Sequence, residues 1–460
     1  MQNLNKKIFK AIIALVLLIP VGMKAQTLTS SINTYSPYSM YGLGELATPG
    51  TVATRSMGGV GVAMWSYNIV NLLNPAAYAA TPRQSFLFNF GVEGAHYRNY
   101  QDKYSGSSVT KAKTAYNSVN VHDIAFQMPL AKGLAMGFSL TPYSNVGYTM
   151  YRDDVSPEIA GNLGRVRYQY NGEGDVTEVK LGAGWSPSKR FAIGAAAMYY
   201  WGGIERNYKS VPADVVTGSG EFSTTTGLDT YDVSRVKAQF GVIVNPIFSS
   251  QRILSIGATY DIGGSLKPDM VRYVYVDNLL TSVVREEIDN SLPLKLPKQI
   301  AAGIFYQDQK YRAGVDYVYQ SWGSDNVDFL ESYGQGVRVG YADVNTVKVG
   351  FEIIPKYSDV RRYLNRVAYR VGARYGGYYQ TFADSEVRQL ALTAGVGLPV
   401  KLFGRSSIDI GFEYGTRMAQ KDQILVNNTK VGTVRQEHFK FSIGMTMFGE
   451  DRWFYRFKFD

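Results

Sequence analysis

The 460-residue chain contains no cysteine, which excludes disulfides, thiolate metal sites and a lipid-bearing N-terminal cysteine. Histidine is almost as scarce: His96, His122 and His438 are the three present, and they are too scattered for metal-ligand spacing. An enzyme needs a nucleophile, a base and an orienting group within reach of one another. His122 and Asp123 are the adjacent couple a barrel hydrolase could use, and they read more simply as strand or rim polar residues. The expectation is a protein that is not an enzyme and uses no cofactor. No apolar run reaches the roughly 20 residues of a membrane-spanning helix. Nor is one charge sign in large excess, because the formal +10 falls to +6 once Lys6, Lys7, Lys10 and Lys24 are removed. That balance implies no nucleic-acid partner.

Those four lysines belong to residues 1–25, where Lys6, Lys7 and Lys10 precede an apolar stretch from Ala11 to Ile19, followed by Pro20, Gly22 and Ala25. This is the pattern of a secretory signal peptide cleaved after Ala25. The mature chain is rich in tyrosine and glycine, with 35 and 47 residues, as expected of many short strands with one apolar and one polar face.

From Ser85 onward, apolar residues recur at every second position. Tyr311, Ala313, Val315, Tyr317 and Tyr319 alternate with Arg312, Gly314, Asp316 and Gln320, and Leu390 to Leu398 and Phe439 to Met447 repeat the pattern. Period two is the signature of a strand with unlike faces. Fourteen such segments centre on 85–97, 117–128, 134–149, 174–185, 191–206, 232–244, 252–264, 298–307, 311–322, 344–354, 367–379, 387–399, 406–416 and 436–447. Tight connections, such as Asp308 to Lys310, alternate with long polar ones at 98–116, 150–173, 207–231, 265–297, 323–343 and 417–435. Short periplasmic turns, long outer loops and an even strand count describe an outer-membrane barrel, whose closure satisfies every backbone group in lipid. The expected fold is therefore all-β, a 14-stranded antiparallel transmembrane β-barrel in the bacterial outer membrane. Its parts are a leader at 1–25, an N-terminal hatch inside the barrel at 26–84, the barrel at 85–448 and a periplasmic tail at 449–460.

The stretch "MGGVGVAMWSYNIVNLLNPAAYAA" at 57–80 poses a choice between a phosphate cradle and a plug. Gly58, Gly59 and Gly61 lack the G-x-G-x-x-G spacing, and no Lys-Ser/Thr pair follows. Small residues suit close packing inside a barrel, and Asn74-Pro75 makes a turn leading into the first strand. Three segments carry a more specific likeness: "NPAAYAA" at 74–80, "LPKQIAAGIFYQDQKYRAGVDYVYQSW" at 296–322 and "YRVGARYG" at 369–376. On these the chain resembles the FadL/TodX family of outer-membrane long-chain fatty acid and hydrocarbon transporters. The resemblance implies fourteen strands, an N-terminal hatch carrying Asn74, Pro75 and Ala76, and sideways release of substrate through a gap beside a kinked third strand. Strand three here, "LAMGFSLTPYSNVGYTM", holds Pro142, which cannot complete a ladder, with Asn145 and Gly147 beyond it. The wall either opens laterally from Pro142 to Gly147 or carries an ordinary bulge covered by a neighbour.

With the tyrosine-rich face toward lipid, the inward face holds Lys180, Arg235, Lys237, Arg312, Lys348, Arg370, Arg374 and Lys440. They oppose Glu178, Asp316, Glu352, Asp409 and Glu413. Arg312, Arg370 and Arg374 are candidate contacts for a fatty-acid carboxylate, since arginine offers bidentate geometry; alternatively the charges pair among themselves. The expected function is passive uptake of hydrophobic compounds such as long-chain fatty acids, released laterally after the hatch rearranges. The alternative is a FadL-fold scaffold or shuttle subunit of a type IX-like secretion system, binding protein partners through the long loops and the C-terminal tail.

Overall fold

The computed structural model describes residues 34–450 apart from 84, 106–107, 155–165, 213–223, 267–268, 277–283, 289–293, 327–338, 383, 401–405, 422 and 427–428. The leader expected at 1–25 and most of the tail expected at 449–460 lie outside the described residues, as does most of the 400–405 turn.

Each of the fourteen alternating segments is a strand. They are β1 Ser85–Ser105, β2 Ser108–Ala131, β3 Leu134–Asp154, β4 Val166–Ser188, β5 Phe191–Pro212, β6 Thr225–Phe248 and β7 Arg252–Asp261. The second half comprises β8 Gln299–Asp308, β9 Tyr311–Gln320, β10 Val344–Ile353, β11 Ala368–Phe382, β12 Ser385–Val400, β13 Ser406–Ala419 and β14 Arg435–Glu450. Every strand pairs antiparallel with its sequence neighbours, and β14 returns to β1 through Ser85↔Glu450 to Tyr100↔Arg435. The sheet is thus a closed fourteen-strand barrel, and no strand carries an open edge along its whole length.

The two faces are inverted relative to a water-soluble protein. Ile304 is 55% exposed on the outer face while Asp316, on the adjoining strand and the opposite face, is 0% exposed. The same division places Leu181, Trp185, Phe240, Ile256, Val349 and Phe412 outside, and Lys180, Gln239, Lys348, Glu352, Arg370 and Glu413 inside. Apolar outward and polar inward is stable only where hydrocarbon surrounds the ring.

The outer ends differ from the sequence expectation. β1 to β6 run 21, 24, 21, 23, 22 and 24 residues, whereas β7 to β10 run 10 each. About 9–11 residues cross a bilayer. The connections expected at 98–116, 150–173 and 207–231 are therefore largely hairpin extensions, paired as far as Ser105↔Ser108, Asp154↔Val166 and Ser210↔Thr225. Above the hydrocarbon nothing demands an apolar outer face, so alternation fades while backbone pairing continues. Where β7 ends, Asp269–Val276 takes over its place beside β6. β14 reaches Glu450, two residues past the expected Phe448.

Residues 34–81 form no layer of their own. They contain a short helix, Val52–Arg55, capped by the Thr51 side chain, and two 3-10 turns, Pro37–Ser39 and Pro75–Ala80. Nearly all of them are buried, and their hydrogen bonds go to strands around the whole ring.

Candidate functional site

One seam of the barrel is incomplete. β2 and β3 pair only from Ile124↔Leu140 down to Ala131↔Leu134, although β2 continues to Ser108 beside β1 and β3 continues to Asp154 beside β4. Both lips are irregular at that height. Register shifts between Pro142 and Ser144 on the β3–β4 side and between Gly91 and Val92 on the β1–β2 side. Bulges bend and twist the strands that carry them, and Pro142 has no N–H to offer a partner.

The N-terminal segment occupies the vacated edge of β3. Glu45–Leu46 adds an antiparallel pair with Glu45↔Asn145 and Leu46↔Ser144. The Ala47 N–H donates to Tyr143 O at 2.9 Å, and the Ser36 N–H to Gly147 O at 2.9 Å. The Gly147 N–H in turn donates to Ser39 Oγ at 3.0 Å. Gly44 sets this approach: its φ is +86°, and a Cβ there would stand 2.4 Å from Asn145 O, so the position needs glycine both for its dihedral and for the close backbone. On the other lip, His122 Nε2 lies 3.2 Å from Thr48 O, with Nδ1 3.0 Å from Asp123 Oδ1. Residues 45–48 therefore span both lips. The structure brings Pro142, Asn145 and Gly147 together as the β3 side of this seam, and gives His122 and Asp123 places beside it.

The glycine-rich stretch sits farther round the ring. The N–H groups of Gly61 and Val62 both donate to Asp316 Oδ2, at 2.7 and 2.9 Å, and the Gly58 N–H donates to Thr393 Oγ1 at 2.9 Å. Gly58, at φ +71°, lies so close to the wall that a Cβ on Gly372 would be 2.2 Å from its nitrogen. Gly59 lies near Lys348. Asn74 donates through Nδ2 to Val62 O at 2.7 Å and to Val242 O at 3.3 Å, while its Oδ1 accepts from the Ala76 N–H at 3.0 Å. Pro75 follows as the first residue of the 3-10 turn, where its missing N–H is not needed. Ala76 is buried against the wall at Gly194. Where a simple turn was expected, Asn74-Pro75 thus starts a capped helical turn.

The inward arginines are paired with carboxylates of the barrel. Arg312 contacts Glu352 at 3.0 Å, Arg370 contacts Glu352 at 2.6 Å and also Asp409, and Arg374 holds Glu413 in a two-point contact at 2.5 and 2.9 Å. Arg235 shares their register face but is exposed. A second set of contacts ties the N-terminal segment to the wall through Arg55 and Glu45, neither of which the sequence reading singled out, and through Glu93 and Arg417 on the barrel side. Arg55 contacts Glu93, which also holds Lys440 at 3.1 Å, and Glu413 accepts from His438 at 3.1 Å. Arg417 donates to Glu45 at 3.2 Å. Burial works to raise the Glu45 pKa, but Arg417, Lys440, His438 and the Thr34 hydroxyl outweigh it and hold the carboxyl below its ordinary value. Burial likewise works against the Arg55 charge, and Glu93 with Glu413 more than restores it. For Glu45 and Arg55 the one sequence signal is that they are the charged residues of an otherwise uncharged 34–81 stretch. Among the described residues no three His, Asp or Glu side chains gather as a metal site.

Solved structures share this architecture. A Pseudomonas aeruginosa FadL homologue is 12% identical and superposes at TM-score 0.58, covering 88% of this chain and 99% of its own. The P. putida toluene transporter TodX is 13% identical at TM-score 0.53, with the same coverages. At such identity the likeness is one of fold. None of the curated proteins matches. The sequence itself matches a family model, BamG, over residues 6–460, so the family differs from the fatty acid and hydrocarbon transporters that the motifs resemble, while the barrel fold is the one they use. By whole-chain match and by its lipid-facing fourteen-strand barrel, the chain belongs to the BamG family and is a bacterial outer-membrane protein.

Proposed function

We propose that the barrel conducts hydrophobic small molecules passively into the membrane when residues 34–81 withdraw from the β2–β3 seam. In this reading Gly58, Gly59, Gly61, Asn74, Pro75 and Ala76 seat the moving hatch, and Pro142, Asn145 and Gly147 line the lateral exit. The observation that supports it is the kind of closure at the seam. Two rungs of sheet from the N-terminal segment cover an edge, whereas each junction between barrel strands has at least seven register pairs. Such a closure can part without breaking the wall. The fold shared with a toluene transporter and a FadL homologue supports the same reading. Long-chain fatty acids are one substrate class. Their carboxylate would reach Arg312, Arg370 or Arg374 by displacing Glu352, Asp409 or Glu413, an exchange that uncharged hydrocarbons do not need.

Leu46→Cys with Ser144→Cys tests this. Directly opposed residues of an antiparallel pair lie about 4.5–5.5 Å apart at Cα, within disulfide range, and the chain has no other cysteine. Oxidation should abolish uptake of labelled toluene or oleate by cells expressing the variant, and reductant should restore it. Undiminished uptake by the locked protein would overturn the proposal.

A second reading, a scaffold subunit that binds protein partners as in type IX-like secretion, is favoured by the six tall strands. They project paired backbone well beyond the bilayer, more than a small-molecule pore requires. On this reading the locked variant keeps its biological activity, and trimming the β5–β6 extension removes it.

A further inference from the structure

The 354–367 connection between β10 and β11 lies at the tight-turn end of the barrel, the periplasmic side, and is longer than the turns beside it. It is an ordered loop. Asp359 accepts from the N–H groups of Arg361 and Arg362 at 3.0 Å each and from Asn365 Nδ2 at 2.7 Å. The Lys356 N–H donates to Asn365 O at 2.7 Å. This fixed frame presents apolar side chains outward: Val360 is 72% exposed, Leu364 68% and Tyr357 55%. Ordered chain seldom shows three such residues together without a surface to cover them.

The loop's position says which surface. The Tyr369 hydroxyl donates to Leu364 O at 3.2 Å, and Tyr369 stands on the outward, lipid-facing side of β11 opposite Ile353. Phe351 and Tyr311, 6.0 Å apart, are also outward on the adjoining strands. The exposed apolar residues therefore continue an aromatic girdle of the kind found at barrel interfaces. Charge agrees. Lys356, Arg361, Arg362 and Arg366 lie in the loop, and its single acid, Asp359, is engaged with the loop's own backbone.

We propose that residues 354–366 form an interfacial anchor in the periplasmic leaflet, with Tyr357, Val360 and Leu364 in the headgroup–acyl boundary and Arg361 and Arg362 on anionic phospholipid phosphates. Apolar burial with basic residues at the headgroups is how monotopic elements hold a bilayer surface.

The absence of native cysteine allows a direct test on the full barrel in nanodiscs. A nitroxide on Leu364→Cys or Val360→Cys should collide more with oxygen than with a water-soluble nickel chelate. A label on Gln309→Cys, in the exposed neighbouring turn, should show the reverse. In discs mixing phosphatidylglycerol with phosphatidylcholine, the wild type should enrich the anionic lipid in its boundary shell. Replacing Arg361 and Arg362 by Gln should reduce that enrichment by about fivefold per charge, the worth of a basic residue near an anionic surface. If Leu364 and Val360 are as open to nickel as Gln309 in both lipid compositions, the anchor is wrong and the loop's cover is a protein partner. If the arginine variants keep the full lipid preference, the phosphate contact is wrong.

Discussion

Glu45→Gln removes one charge from the junction that holds the N-terminal segment in the seam, and its effect can be sized from the contacts. Glu45 Oε1 accepts from Arg417 at 3.2 Å and Oε2 from the Thr34 hydroxyl at 2.7 Å, with both ionic side chains almost wholly buried. Glutamine keeps the volume and can serve both partners, with its oxygen accepting from Arg417 and its amide N–H donating to the Thr34 hydroxyl, but it lacks the carboxylate's charge. Arg417 is not orphaned, because it still donates to Gln436 at 3.1 Å and lies 4.3 Å from the Tyr378 ring centroid. The loss is therefore the carboxylate's charge opposite Arg417, about 2 kcal/mol, the worth of a hydrogen bond to a charged group, rather than the larger penalty of an abandoned buried charge. That energy corresponds to about a 30-fold rise in the opened population. Hydrogen exchange in detergent should show it at the Ala47 amide, which bonds Tyr143 O, and at the Ser36 amide, which bonds Gly147 O. The amides of Ile124 to Ala131, in the closed part of the same seam, should not change. Unaltered exchange at Ala47 would refute the reasoning, and so would equal acceleration in β2 and β3, because the wall and not the segment would then be opening.

The same carboxylate predicts a pH response. Held below its ordinary value, Glu45 contributes fully above its unfolded pKa of about 4.3 and ceases to contribute as the pH falls through its lower folded value. A polarity-sensitive dye on Thr48→Cys should therefore report release only below about pH 4, and release already at pH 6 would contradict the assignment. Asp316→Ala strips the acceptor shared by the Gly61 and Val62 N–H groups; with two buried donors unsatisfied, seating of the segment should weaken by about 2–4 kcal/mol, read as protease sensitivity at 57–64 with the barrel intact. Ile304→Arg puts a charge on the lipid face and should lower stability in bilayers by about 2–4 kcal/mol. An effect no larger than that of Arg at exposed Gln309 would undermine the placement of Ile304 in the hydrocarbon.

The barrel is legible in the sequence because lipid and lumen make opposite demands on successive residues: Val315 faces outward and Asp316 inward, and each strand repeats the contrast within the bilayer. That pressure ends at the membrane surface. The outer ends of β1 to β6, from about Arg98 on β1 and before Asn117 on β2, are rich in polar residues and read as loops although their backbones remain paired. The seam was partly legible, since Pro142 marks a strand that cannot finish its ladder. What covers it was not. Glu45, Arg55, Glu93 and Arg417 belong to no local pattern, and Arg417 meets Glu45 across 372 positions of chain, a distance over which periodicity says nothing. The arginines offered as contacts for a carboxylate follow the other reading, in which the charges pair among themselves: Arg312 and Arg370 both stand opposite Glu352 on the strand between them, whereas Arg374 stands opposite Lys348 and reaches Glu413 two strands away, which register alone does not show.

The height at which the seam begins has a consequence of its own. Below it, β2 and β3 are zipped for seven register pairs, and with strands tilted about 40° these rise roughly 15 Å from the periplasmic turn. The apolar band of such a barrel is about 25 Å tall, so the seam starts just beyond the midplane. A molecule leaving through it would enter the outer leaflet alone. The periplasmic leaflet lies behind closed sheet, so opening as proposed above would not join the cell exterior to the periplasm.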